Sequence, residues 1–343
     1  MEKDNVRQAL LYENLSASRV KCHVCQWHCT ILPDKLGICS MRQNKDGVLY
    51  TLNYGQTSAV AADPIEKKPL FHFYPGSKVF SLGGWGCNFH CQHCQNWRIS
   101  CVSSNILEQD SNTILPEAAI KLALERHCHG IAWTYNEPSM WFEYTLDCAK
   151  LAKEQGLYTA YVTNGYLSSE ALDAIGPFLD AWRVDLKGFS DSFYRQLAKI
   201  PRWHGILDVT KRAKEKWDMH IEVVTNIIPN LNDDDEQLEH MADWIYQNLG
   251  ELTPWHITLS HPQYKMTHVP TTPIETLERA HVIGKKCNLK FIYLGNVPGH
   301  INENTFCYSC GKMLIQRHTY ETNVLGLDGS RCRFCGVDIN MRV

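Results

Sequence analysis

Three cysteines, Cys87, Cys91 and Cys94, stand at the spacing C-x3-C-x2-C within Ser81-Leu82-Gly83-Gly84-Trp85-Gly86-Cys87-Asn88-Phe89-His90-Cys91-Gln92-His93-Cys94. A [4Fe-4S] cube takes four thiolates. Three from one loop leave one iron open, and an open iron can chelate a small ligand through an amine and a carboxylate, the groups at the α-end of methionine. Gly83, Gly84 and Gly86 precede the triplet and let the backbone turn tightly against a bulky group. Two other chemistries fit the same residues. One is a closed zinc site with His90 or His93 as fourth ligand. The other is a four-cysteine electron-transfer cluster with Cys101 completing the set.

Eleven of the 15 cysteines fall into three tight groups, which in a reducing compartment points to metal rather than disulfides. Cys22-x2-Cys25-x3-Cys29-x9-Cys39 offers four thiolates, with His23 and His28 as competing ligands. Zinc and a second iron–sulfur cluster are both open there. Cys307-x2-Cys310-Gly311 and Cys332-x2-Cys335-Gly336 form paired knuckles with 21 residues between them. That pattern calls for a tetrahedral ion, with zinc the default. The basic excess around the pair is mild, so it reads as structural or partner-docking rather than nucleic-acid-binding.

These residues need elements to position them. From about residue 77, short β-rich runs alternate with amphipathic ones. The strand candidates are 78–82, 130–134, 158–162, 181–186, 220–227, 256–260 and 290–294. Helix candidates lie near 115–128, 138–155, 168–176, 205–216, 233–248 and 273–285. Such alternation predicts a parallel sheet with crossover helices, hence an α/β fold. Residues 1–20 read as a short helical lead-in, and 47–52 as part of a hairpin. The division expected is 1–75 as an N-terminal four-cysteine module, 76–299 as the α/β unit and 300–343 as a C-terminal cysteine-rich module.

In such folds chemistry gathers at the C-terminal ends of strands. Thr134-Tyr135-Asn136-Glu137-Pro138, Thr163-Asn164-Gly165 and Asp185-Leu186-Lys187 all lie there. Strand alternation sends Asp185 and Lys187 to one side, where each needs the other or a ligand. Asn226, Pro229–Asp233, His256, His261 and Gly295–Gly299 are placed at the same ends by this reading.

The triplet after the first strand of a βα series resembles the radical S-adenosylmethionine (SAM) superfamily. The resemblance implies a partial TIM-like (β/α) barrel in which Cys87, Cys91 and Cys94 hold a [4Fe-4S] cluster. The open iron would bind the amino and carboxylate groups of SAM, and reductive cleavage would give a 5′-deoxyadenosyl radical that abstracts hydrogen from a substrate. It places His93 against adenine. Asn136 and Glu137 stand where the family has its GGE motif. Asn164 and the pair Asp185 and Lys187 match the TNG and DLK segments of glycyl-radical-activating enzymes, as contacts to SAM or substrate. The whole set, from Cys22 to the C-terminal knuckles and including Cys94-Gln95-Asn96-Trp97 and Gly295-Asn296-Val297-Pro298-Gly299, resembles the radical SAM component of the AmmeMemoRadiSam system. That family is similar to pyruvate formate-lyase activating enzymes. It implies Memo-type and Ammecr-type partners and a low-potential electron donor such as flavodoxin or ferredoxin.

Composition sets outer limits. The chain has 343 residues, 34 basic against 37 acidic, and a formal net charge of -3. That balance gives no pull towards a polyanion or an anionic membrane. No apolar run approaches the ~20 residues of a membrane span, and the first 15 residues lack the apolar core of a secretory signal. The expected location is the cytoplasm. Two rival readings stay open: an iron–sulfur electron-transfer protein without SAM chemistry, and a zinc-bearing adaptor for nucleic acid or protein.

Overall fold

The computed structural model describes residues 5–109 and 112–343. Its centre is an eight-stranded sheet in the order Ile292–Gly295, Trp255–Leu259, His220–Ile227, Ala181–Asp185, Tyr158–Thr163, Gly130–Trp133, Lys78–Gly83, Ala59–Pro64. The first seven are parallel. The end strands do not pair with each other, so the sheet is open rather than closed into a barrel. Parallel strands covered on both faces read as apolar runs. Gly130–Trp133 and Trp255–Leu259 are buried throughout, and Trp133, Trp182 and Trp255 are among the largest enclosed side chains.

Six helices cover the sheet close to where periodicity places them: Pro116–Glu125, Phe142–Glu154, Ser169–Ile175, His204–Trp217, Asp235–Leu249 and Ile274–Lys286. Local chemistry starts them. Pro116 opens the first. Ser168 and Asp234 each accept a backbone N–H three residues on, from Ala171 and Gln237. The run 138–155 is not one helix. Glu137 accepts the Ser139 N–H and starts a 3-10 turn, Pro138–Trp141, before the α-helix.

One expectation fails near the N-terminus. Residues 1–4 of the expected lead-in helix lie outside the described residues. The rest form strands, with Tyr12–Leu15 pairing antiparallel to Arg19–Cys22. Ala17 and Ser18 turn between them at φ of 58° and 51°, so hairpin pairing prevails over local helical propensity. Ala59–Pro64, a strand that the sequence reading does not single out, pairs antiparallel with Lys78–Gly83 from Ala59 opposite Gly83 to Pro64 opposite Lys78. Around the first four cysteines lie two small antiparallel sheets. The expected hairpin appears as Arg42–Lys45 and Val48–Thr51.

Residues 300–343 form a three-stranded sheet and a small hairpin, packed on Phe71, Phe291 and Tyr293. The Glu222 carboxylate gathers the N-terminal end of the sheet. It accepts the backbone N–H groups of Phe71 and His72 and contacts His220 and His256 at 2.9 and 2.6 Å. His256 therefore belongs to the end opposite the cysteine loop, not to the strand-end cluster. It is the second residue of its strand, Trp255–Leu259.

Candidate active site

The cysteine loop leaves the C-terminal end of Lys78–Gly83. Asn136 fixes its glycines: Gly84 N donates to Asn136 Oδ1 at 3.1 Å, and Asn136 Nδ2 donates to Gly86 O at 2.8 Å. Gly86 has a φ of +81°, and a Cβ there would lie 2.7 Å from Met41 Cγ and 2.9 Å from the Cys39 carbonyl. No other residue fits so close a passage. Beyond the turn, Gln92 N donates to Leu197 O, and Lys265 N donates to Gln92 O. Tyr135, beside Asn136, holds a left-handed φ of 75°. Its hydroxyl donates to Asp63 and its carbonyl accepts from Asn96. Such a conformation persists only where the surroundings over-determine it.

Glu137 is buried, and four donors occupy its carboxylate: Ser139 N, Ser139 Oγ, Thr163 Oγ1 and Asn164 N, at 2.8 to 3.1 Å. Burial pushes its carboxyl up, against these hydrogen bonds. Glu137 thus positions the strand end 163–164. Asn164 is what reaches the cysteines. Its Nδ2 donates to Asn88 Oδ1 at 2.8 Å and lies 3.8 Å from Cys87 Sγ. Phe89 N donates to the same sulfur at 3.4 Å.

Asp185 and Lys187 share a side, as alternation requires, and Lys187 Nζ donates to Asp185 Oδ2 at 2.9 Å. Arg183, two residues earlier on the same face, donates to Asp185 Oδ1. Burial opposes the Asp185 charge, but Arg183 and Lys187 outweigh it and hold the carboxyl below its ordinary range. Lys187 is also felt at the loop. Burial pushes the Cys91 thiol up to about 12, and the Lys187 ammonium pulls against that. Burial holds His93 down to about 3, with Lys187 adding to the effect. His93 is neutral at physiological pH, has a buried Nδ1 without a partner, and faces Phe193 at 6.0 Å between ring centres.

The structure therefore brings Cys87, Cys91, Cys94, His93, Asn164, Asp185 and Lys187 to one end of the sheet, with Asn136 and Glu137 behind them. Sequence reasoning missed Arg183, Asn88 and Ser139. Arg183 was within reach, since it shares the i, i+2 alternation that links Asp185 and Lys187. The residues fit a thiolate-bound cluster: three cysteines on one loop, with N–H donors at the Cys87 sulfur and a buried cation near Cys91.

The flanking groups differ. The sulfurs of Cys307, Cys310, Cys332 and Cys335 all lie within 4.8 Å of one another, the spacing of a tetrahedral metal site. Cys22, Cys25, Cys29 and Cys39 instead line one enclosed pocket together with Trp27, Arg42, Asn88 and Met140.

The family model of the radical SAM superfamily matches residues 84–245, just under half of the chain. Along nearly its whole length it is similar to an uncharacterised protein of Methanocaldococcus jannaschii. The two are 42% identical over 338 residues, covering 98% of this chain and 99% of that one. The pyruvate formate-lyase-activating enzyme of Clostridium pasteurianum is 27% identical over 192 residues, 52% of this chain and 76% of that enzyme. In fold, a radical SAM methyltransferase from Sphaerobacter thermophilus aligns with a TM-score of 0.50 at 14% identity, over 70% of this chain and 71% of that one. No helix among the described residues is long and apolar enough to cross a membrane.

Proposed function

We propose that this protein is a radical SAM enzyme acting on a substrate as an activating enzyme does. The observation that carries this is the three-cysteine loop at a strand's C-terminal end, clamped by Asn136 and backed by Asn164. When bound there by Cys87, Cys91 and Cys94, a [4Fe-4S] cluster supplies the electron that cleaves SAM to methionine and a 5′-deoxyadenosyl radical. The protein's own part is placement. Asn136 holds the glycine turn, Glu137 holds Asn164, and Asn164 donates towards the Cys87 sulfur. Asp185, between Arg183 and Lys187, offers a carboxylate with a cation on either side to a polar ligand. His93 presents a neutral ring beside the loop, suited to stacking on a base.

The same reading assigns zinc to the C-terminal cysteines and a flavodoxin or ferredoxin as electron donor. It takes Memo-type and Ammecr-type proteins as partners in the cytoplasm. Support comes from the superfamily match, the activating-enzyme relatives and the order of the three cysteine groups along the chain.

The test is anaerobic reconstitution with iron and sulfide, reduction, addition of SAM, and assay of 5′-deoxyadenosine beside a Cys91→Ala control. Cluster-dependent formation is expected. A fully loaded, fully reduced protein that forms none, and whose spectrum SAM leaves unchanged, sinks the proposal in favour of an electron-transfer role.

A further inference from the structure

We infer that Cys22, Cys25, Cys29 and Cys39 hold a second [4Fe-4S] cluster, and that zinc is confined to the C-terminal group. The contrast between the two four-cysteine sets carries this. A zinc–sulfur bond of ~2.3 Å sets tetrahedral sulfurs roughly 3.8 Å apart. The C-terminal set matches, with Cys307–Cys335 at 3.6 Å and Cys310–Cys332 at 3.8 Å. Among the described residues, no three sulfurs of the N-terminal set draw together within 4.8 Å. Yet all four line one enclosed pocket. Thiolates facing a common space but spread beyond the reach of one ion suit a ligand with a metal at each corner.

Two further groups in that pocket point to a sulfur-rich anion. Arg42 and Asn88 both line it, and they are 2% and 0% exposed. Arg42 gives its two terminal nitrogens to Glu143 at 3.0 and 2.7 Å, and its Nε is left buried without an acceptor. Asn88 Nδ2 is likewise buried and unpartnered. A buried donor without a partner loses its hydrogen bond to water and gains nothing in return. Both costs vanish if the donors meet sulfide or thiolate, and hydrogen bonds to the sulfurs are a recognised means of tuning such clusters.

Four thiolates saturate the cube, so this site has no open iron for substrate. It takes one electron from an external low-potential one-electron donor and passes one on, with no bond formed or broken. Its neighbour is the central loop. Trp27 Nε1 donates to the carbonyl of Asn88, the residue after Cys87, at 2.8 Å, and the Cys39 carbonyl abuts Gly86. The inference rests on the proposed function only for the electron's destination.

The experiment compares the anaerobically reconstituted full chain with its Cys87→Ala/Cys91→Ala/Cys94→Ala variant. Iron, sulfide and zinc are counted, Mössbauer spectra are taken, and electron paramagnetic resonance is recorded after reduction with and without SAM. The wild-type chain is expected to hold about eight irons and about one zinc. The triple variant is expected to keep about four irons, with a reduced-cluster signal that SAM does not alter. A wild-type inventory of about four irons and about two zincs overturns the inference, and it decides the matter even if the triple variant does not fold. A chain that meets the iron inventory but forms no 5′-deoxyadenosine overturns the proposed function alone.

Discussion

Asn164 donates its side-chain amide to Asn88 Oδ1 at 2.8 Å, from a position 3.8 Å from the Cys87 sulfur. One residue thereby joins the end of the third parallel strand to the loop that leaves the first. Hydrogen bonds to thiolate sulfur raise the potential of an iron–sulfur cluster. Asn164→Ala is expected to lower the potential of the cluster at the central cysteines, read by redox titration followed by electron paramagnetic resonance. An unchanged potential in a fully loaded variant removes Asn164 from this role.

Glu137 supports that arrangement from behind. Glu137→Gln turns an NH2 towards donors and leaves buried groups unpaired, so a loss of ~1–3 kcal/mol is expected in denaturant unfolding. Ser139→Ala removes one donor pair and should cost less. Equal stability of Glu137→Gln and wild type contradicts the network described.

The Asp185 cluster makes a different prediction. Its side chain is 28% exposed and that of Lys187 is 19%, so solvent reaches the pair. Asp185→Asn is expected to change stability by no more than ~1 kcal/mol, while 5′-deoxyadenosine formation falls at least ~10-fold, a barrier of about 1.4 kcal/mol. A variant with wild-type turnover shows that the three charges serve the fold alone.

Acid should loosen the opposite end of the sheet. Burial lowers His72 to about 3, with Glu222 pulling upward and His220, Arg317 and His256 adding to the depression. In the unfolded chain a histidine titrates near ~6.5. The neutral ring is the folded form, so its contribution is complete above ~6.5 and is lost as pH falls towards about 3. Glu222 acts with the same sign. Burial opposes its charge, but His220 and His256 hold the carboxyl well below its ordinary range, so its contribution is complete above ~4.3 and fades below. Melting temperatures are expected to fall from about pH 6.5 downward, less steeply in His72→Gln. Superimposable profiles refute the assignment to His72.

Much of this was legible in the chain. The seven parallel strands fall where apolar runs place them, within a residue or two, because burial on both faces writes itself directly into composition. The cysteine loop, Asn164 and the Asp185–Lys187 pairing were legible for a similar reason: spacing and alternation are local. Ala59–Pro64 was not, since an edge strand is defined by its partner, Lys78–Gly83, rather than by its own pattern. His256 was misplaced because a strand's polar residue does not announce which end it occupies. The role of Glu137 was hidden too, since its donors come from a second strand as well as from its own turn.

The Glu222 network has a consequence for how the molecule comes apart. His72 Nδ1 meets the Ile339 carbonyl at 3.0 Å, Arg342 N donates to His72 O at 2.8 Å, and Tyr74 N donates to Arg342 O at 2.7 Å. The same segment, through Phe71 and His72, is anchored on the carboxylate in the third strand from the edge, His220–Ile227. Peeling away the C-terminal cysteine-rich module therefore breaks contacts that the sheet itself needs. Calorimetry should record the two melting together as one cooperative transition, with the boundary drawn at residue 300 invisible to heat.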